Sequence, residues 1–276
     1  VVVHTRDLAM QWVERVEQFL GIPAREVGMI GSGKSRVGER VTVATVQSVY
    51  SRAKELKKRI GHLVVDECHR APSRTFTAAV TAFDSAYSLG LSATPYRRDG
   101  LTSLIFWHLG EMHARIDGDD LMDSGAIMRP EIRIRPTDFH TRRDPSEEYG
   151  LIIADLTEDK ERNILIVDEV AGEVRAGMGV ALVLSDRKGH CRELQSLLAE
   201  RHGIEGAVLT GDTPLPERKS LVGRIQDGRE QVVFATGQLI GEGFDASNLT
   251  SLFLATPVKF SGRLIQYLGR VLRPSV

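Results

Sequence analysis

The sequence predicts an α/β fold in which two domains are each built on a parallel sheet. Two observations lead there. Short apolar runs rich in β-branched residues alternate with amphipathic stretches of helical period, the pattern of repeated β/α units. That alternation stops after residue 97 and resumes from Lys160, so it comes in two blocks. The 276 residues also suit two domains better than one.

The elements follow in order. "VVVHT" is a strand, entered with no leading turn and no methionine, which suggests that the true N-terminus lies upstream. "RDLAMQWVERVEQFLG" is a helix with Leu8, Trp12, Val16 and Phe19 on one face and Gly21 as its stop. "VTVATV" is a strand, "QSVYSRAKELKK" a helix and "GHLVVDE" a strand that ends in acids. "SRTFTAAVTAF" is helical, and "AYSLGLSAT" is the next strand. Asp, Gly, Pro and Arg then cluster, and "EIRIRPTDFHTRRDPSEEYG" reads as a linker with a strand or two. In the second block "RNILIVDEVAGEVRAG" is a helix with Ile166, Val170 and Val174 four residues apart. "VALVLS", "GAVLTG", "QVVFAT" and "SLFLAT" are strands, and "RKGHCRELQSLLAERHG", "LPERKSLVGRIQDG" and "SGRLIQYLGRVLR" are helices. The expected boundaries are a first domain over 1–115, a linker over 116–158 and a second domain over 159–276.

The composition is that of a globular chain, 42% hydrophobic and 26% charged. With a net charge of −1, any nucleic-acid contact has to come from local basic patches. Two cysteines without a CxxC give neither a disulfide framework nor a zinc set, and they fit a reducing compartment, the cytoplasm. No run of 18 apolar residues suggests a membrane span, and no signal peptide is visible.

"GMIGSGKS", residues 28–35, fits the letters of a phosphate-cradling loop, G-x-x-x-x-G-K-[ST]. Such a loop has to run from a strand into a helix, whose N-terminus receives the phosphates. Here Gly38 follows closely and "VTVATV" begins at Val41, leaving no room for a helix. The stretch therefore reads as strand, glycine-rich turn, strand.

The chemistry lies further on. In "VVDECH" Asp66 and Glu67 stand just past an apolar strand, and open α/β sheets bind ligands at the carboxyl ends of their strands. Asp66 suits Mg²⁺, a hard ion that takes oxygen ligands. Glu67 suits the deprotonation of an attacking water. Ser92 and Thr94 in "LSATP" end another strand, and "GEGFD" supplies Gly241, Gly243 and Asp245 after "QVVFAT". Gln266, Arg270 and Arg273 share one helix face at i, i+4 and i+7, where two arginines aimed at a γ-phosphate would stabilise transition-state charge. Plainer readings stand beside these. An acidic strand end or a charged helix face is often only solvated, the five arginines from Arg129 to Arg143 suit a solvated linker, Trp12 suits a core and His190 a surface.

In order, "HTRDLA", "VATVQS", "DECH", "SAT", "GEGFD" and "QxxGRxxR" resemble motifs Ia, Ib, II, III, V and VI of the superfamily 2 helicases. "DECHR" with "SATPYR" and "GAIMRP" is most similar to the XPB and RadD neighbourhood, which also resembles the type III restriction translocases. The likeness covers almost the whole chain. It implies two RecA-like parallel-sheet domains, the first truncated at its N-terminus, with ATP and Mg²⁺ between them and a nucleic-acid strand, DNA before RNA, across their tops. It implies Asp66 and Glu67 for metal and water, His69 and Gln266 for γ-phosphate sensing, Ser92 and Thr94 for coupling, and Gly241, Gly243 and Asp245 near the nucleotide. Arg270 and Arg273 would be the arginine fingers, and Thr5, Arg6, Thr45 and Thr236 would touch backbone phosphates. The family's own phosphate loop, motif I, precedes motif Ia, so "GMIGSGKS" is also out of order. The expected activity is an ATP-dependent helicase or translocase motor. A restriction-enzyme motor, an RNA helicase, and a nucleic-acid-binding piece without turnover are the alternatives, and a kinase using Lys34 is weak because no helix follows Ser35.

Overall fold

This computed structural model describes residues 1–31, 33–70, 74–83, 85–96, 100–177, 179–237, 248–258, 264 and 267–269, with the side chains of 54, 70, 74–76 and 215 left aside. The chain divides into two compact units, Val1–Arg115 and Ile116–Val276.

The first unit runs β1 (Val2–Val3), α1 (Arg6–Leu20), β2 (Gly28–Gly31), β3 (Lys34–Arg36), β4 (Thr42–Thr45), α2 (Val46–Leu56), β5 (His62–Asp66), α3 (Arg74–Thr81), β6 (Tyr87–Leu91) and α4 (Thr102–Leu109). Its sheet has the order β3-β2-β4-β1-β5-β6. All neighbours are parallel except β2 and β3. Strand alternation sorts the side chains between two faces. Val2, Ala44, Leu63 and Val65 pack with Val49, Leu56, Ala79, Val80 and Ile105 from the helices on one face. Val3, Met29 and Val43 pack with Ala9, Val13 and Val16 of α1 on the other.

Helix α1 shows why it begins and ends where it does. The Thr5 hydroxyl accepts the Leu8 N–H at 3.2 Å as an N-cap, and Gly21 closes the helix at φ 63°. On the α1 face the far side of the sheet stays open, and Tyr87, Leu89 and Leu91 of β6 are 71%, 44% and 37% exposed.

"GMIGSGKS" forms the hairpin β2–β3, as strand, turn and strand, on the outer edge of this sheet. Met29 faces Arg36, Ile30 faces Ser35 and Gly31 faces Lys34. The returning strand is a short one of its own, not yet β4. Gly28 serves backbone approach, because a Cβ there would lie 2.0 Å from the Gly38 nitrogen. No helix follows Ser35, and Lys34 is exposed.

The second unit runs α5 (Gly118–Asp123), α6 (Tyr149–Glu158), α7 (Lys160–Arg175), β7 (Val180–Ser185), α8 (Lys188–His202), β8 (Ala207–Leu209), α9 (Leu215–Gln226), β9 (Val232–Thr236) and β10 (Leu249–Leu254). Its described sheet is parallel throughout, in the order β10-β7-β9-β8. Strands β7 and β9 are buried almost end to end, as parallel strands covered on both faces must be. Val167, Val170, Leu194 and Leu198 of α7 and α8 cover one face, and Leu221 and Ile225 of α9 cover the other.

Between Ile127 and Arg143 the chain is extended but no described residue forms a strand, which differs from the strand or two expected there. The alternation in "EIRIRP" comes from a strap. Arg133 reaches Glu173 at 3.0 Å and Arg135 reaches Glu169 at 2.7 Å, both on α7, while Ile132 and Ile134 face water. Arg143 is similarly held by Asp155 and Glu148. Four of the five linker arginines are thus matched by carboxylates. Among the described residues no helix is long and apolar enough to cross a membrane.

Candidate active site

The carboxyl ends of β5 and β6 bring five of the expected residues into one patch, joined by hydrogen bonds and by one ion-pair contact between Glu67 and His69. Asp66 is the last residue of β5 and lies in register with Leu91, so the following turn meets the segment that leaves β6. Glu67 then takes φ 51°, the one left-handed non-glycine among the described residues. That conformation costs roughly 1–2 kcal/mol in an L-residue, so the surrounding structure enforces it. The Glu67 N–H donates to Asp66 Oδ1 at 2.9 Å.

His69 joins the two strand ends. Its Nδ1 lies 3.2 Å from Glu67 Oε2 and 3.0 Å from Ser92 Oγ. Ser92 Oγ also accepts the N–H of Thr94 at 3.0 Å, and Thr94 is buried. Asp66, Glu67, His69, Ser92 and Thr94 therefore form one connected set, with the three ionisable groups half-buried and open to a ligand.

This donor set fits Mg²⁺. Among the described residues no three His, Cys, Asp or Glu side chains converge as a cage. Mg²⁺ asks for no such cage, since it keeps water and is held by one or two carboxylates plus substrate phosphates. Cys68 adds no thiolate: burial, and then the Glu67 charge, push its thiol up to about 11. The Cys68 side chain instead packs beneath β6, where a Cβ on Gly90 would lie 3.1 Å from its sulfur.

The residues expected to touch a nucleic-acid backbone lie at the same edge of the sheet. Thr5 comes just after β1 and Thr45 ends β4, and the two strands pair with Val3 opposite Thr45. Arg6 is exposed, whereas Thr45 is buried and donates its hydroxyl to Ser48 Oγ at 2.9 Å. In the second unit Thr236 ends β9 opposite Ser185. Gly241, Gly243, Asp245, Gln266, Arg270 and Arg273 lie outside the described residues.

Two families match the chain in tandem. The one described as "Type III restriction enzyme, res subunit" matches residues 1–97, and the "Helicase conserved C-terminal domain" matches residues 148–275. The DNA 3'-5' translocase XPB2 of Sulfurisphaera tokodaii is 27% identical over 99% of this chain and 68% of its own length. The probable helicase D10 of Escherichia phage T5 is 26% identical over 99% of this chain and 58% of its own. Along almost its whole length the chain is similar to the superfamily 2 helicases.

The fold agrees with that placement. The structure of S. cerevisiae Dbp5 bound to RNA and ADP BeF3 superposes with a TM-score of 0.62 over 98% of this chain and 66% of that one, at 17% identity. RecA-like parallel-sheet folds are thus common to both.

Sequence reasoning missed residues that shape the strand ends. Tyr267, in the expected motif VI helix, is buried against the end of β9, and a Cβ on Gly237 would meet its hydroxyl at 2.2 Å. Gly237 is therefore needed for that close approach. Trp12, expected in the core, packs half-buried against it and also donates its indole N–H to Asp66 Oδ2 at 2.8 Å. Only the partner 54 residues away reveals this, so no local pattern could.

His190 corrects the surface reading. It is 3% exposed, with Nδ1 at 3.0 Å from Ser185 Oγ and Nε2 at 2.8 Å from Asn163 Oδ1. Asn163 in turn donates to the Thr157 carbonyl at 2.9 Å. Burial, reinforced by the Arg162 charge, lowers His190 from 6.5 to about 4. The unfolded chain then binds a proton between those values and the native chain does not. Stability is fully present above about pH 6.5 and falls as the pH drops toward 4, by roughly 3 kcal/mol from this group. Thermal unfolding between pH 7 and 4.5 should show a shallower loss in His190→Gln than in wild type, and equal slopes would contradict it.

Lys34 provides a second check. In the full-length protein Lys34→Ala should leave the KM for ATP within about twofold, since an exposed hairpin lysine is no phosphate-loop lysine. Loss of hydrolysis in that variant would make the hairpin a nucleotide site after all.

Proposed function

We propose that this chain is the ATP-driven motor core of a DNA translocase or helicase. The observation that carries the reading is the connected patch Asp66–Glu67–His69–Ser92–Thr94 at the carboxyl ends of β5 and β6. The relative from S. tokodaii is named for movement on DNA, which supports DNA over RNA, and the phage T5 relative is named as a helicase.

In this reading Asp66 and Glu67 supply oxygen donors to Mg²⁺, which when bound neutralises phosphate charge. Glu67 orients a water and takes its proton. His69 holds the Glu67 carboxylate on one side and Ser92 on the other, so a shift at the acid reaches the segment after β6. Thr5, Arg6, Thr45 and Thr236 grip backbone phosphates, which positions a strand without reading its sequence. Gly241, Gly243 and Asp245 line the nucleotide, Gln266 senses it and Arg270 and Arg273 stabilise transition-state charge, as the motif resemblance assigns them. Both cysteines are buried and free, which suits the reducing cytoplasm.

A second reading, the motor part of a restriction enzyme, is favoured by the family matched over residues 1–97. ATP hydrolysis by the full-length protein, measured alone, with single-stranded DNA, with duplex DNA and with RNA, tests the proposal. DNA should stimulate turnover and RNA should not. No stimulation by any nucleic acid would overturn the motor reading. Stimulation accompanied by DNA cleavage would favour the restriction motor.

A further inference from the structure

We infer that Trp12 is a positioning residue for Asp66, holding its carboxylate in the orientation that receives a divalent cation. The inference rests on the reading of Asp66 as a metal ligand. Helix α1 buries Ala9, Val13 and Val16 against the sheet, and these carry its packing. Trp12 stands one step round the helix, half-buried, toward the end of β5. Its indole nitrogen is a donor only, so a buried contact there has to find an acceptor. It finds Asp66 Oδ2 at 2.8 Å, the length of a charge-assisted bond.

The second oxygen of the same carboxylate is tied from another direction. Asp66 Oδ1 accepts the N–H of Glu67 at 2.9 Å. Two donors from two elements, α1 and the turn after β5, therefore fix both the plane and the rotation of the group. An ionised carboxylate offers about four acceptor positions, so roughly two remain for a cation or its waters. A ligand oriented in advance binds without having to surrender rotamer freedom. Partners that orient metal ligands in this way typically contribute about 10–100-fold to metal affinity. Phenylalanine would fill much of the same space against α1 and the sheet but could not hold the carboxylate.

Two measurements separate this role from packing. Mn²⁺ binding to the 276-residue chain, followed by the electron paramagnetic resonance of the free ion, should weaken by about 10-fold in Trp12→Phe at an unchanged melting temperature. Asp66→Asn should weaken it at least as much, and Trp12→Phe combined with Asp66→Asn should match Asp66→Asn alone. If Asp66→Asn loses binding and Trp12→Phe keeps it, the positioning role falls while the metal reading stands. If Asp66→Asn binds as wild type does, the metal reading falls and takes the inference with it. The second measurement needs no tryptophan variant. The chain has two tryptophans, and Trp107 is 76% exposed, so its indole N–H signal serves as a solvent reference. The Trp12 signal should exchange slowly, and Asp66→Asn should move it while leaving Trp107 in place. An indole signal at Trp12 that ignores Asp66→Asn would show that the bond is not made, and would overturn the inference even if Trp12→Phe failed to fold.

Discussion

Glu67→Gln in the full-length protein lowers ATP turnover by about 10²-fold or more while ATP binding survives, as expected for losing a general base. The geometry makes this substitution cleaner than most. Glutamine keeps the shape of the side chain and still offers an acceptor oxygen to His69 Nδ1, which lies 3.2 Å from the carboxylate. What disappears is the ability to take a proton from water. Glu67→Gly gives a contrasting outcome from the same position. The residue sits at φ 51°, a conformation that glycine adopts without strain. Glycine there should cost no stability, and it should gain up to about 1 kcal/mol from the relieved backbone, measured by denaturant unfolding. It should lose turnover as fully as Gln does. An active Glu67→Gln enzyme would remove Glu67 from the chemistry. An unstable Glu67→Gly protein would mean that the carboxylate is held for packing rather than for reaction.

That stored strain also shows what a sequence can and cannot disclose. The strands β7 and β9 are legible because parallel strands buried on both faces read as unbroken apolar runs. Helices α1 and α8 are legible because Gly21 and Gly203 end them in left-handed conformations that other residues avoid. The adjacency of Asp66 and Glu67 at a strand end is legible for the same reason. Their division of labour is not, since it comes from a φ value and from His69 reaching Ser92, 23 residues along the chain. Strand β3 was missed because Lys34–Arg36 carries no apolar alternation: it is three exposed residues paired through the backbone alone. The strap around Ile132 and Ile134 carried the opposite error. Its alternation is that of a strand, but its arginines satisfy Glu169 and Glu173 and no strand lies beside it. His190 was read as exposed because its partners, Ser185 and Asn163, come from β7 and α7 and become neighbours only in the folded unit.

Arg273→Lys lowers ATP turnover of the full-length protein by at least about 10³-fold, the low end for losing an arginine finger. The motif "QYLGRVLR" places Gln266, Arg270 and Arg273 on one helix face. Tyr267, in the same motif, is buried in the core of the second unit with Leu184, Val233 and Ala235. Residues at 266, 270 and 273 are one, three and six positions from it. At 3.6 residues per turn, positions 266, 270 and 273 of one helix fall about 100°, 60° and 120° round to the same side of position 267. A finger requires a firmly anchored base, because preorganised charge costs no reorganisation as the reaction proceeds. Lysine keeps the charge but loses the planar fork that meets two phosphate oxygens at once. DNA binding without nucleotide should change little in this variant, and the melting temperature should hold. The split between turnover and binding is what decides the role. If turnover holds and DNA binding collapses, with a salt dependence reduced by about one phosphate contact, Arg273 grips the strand and has no part in hydrolysis.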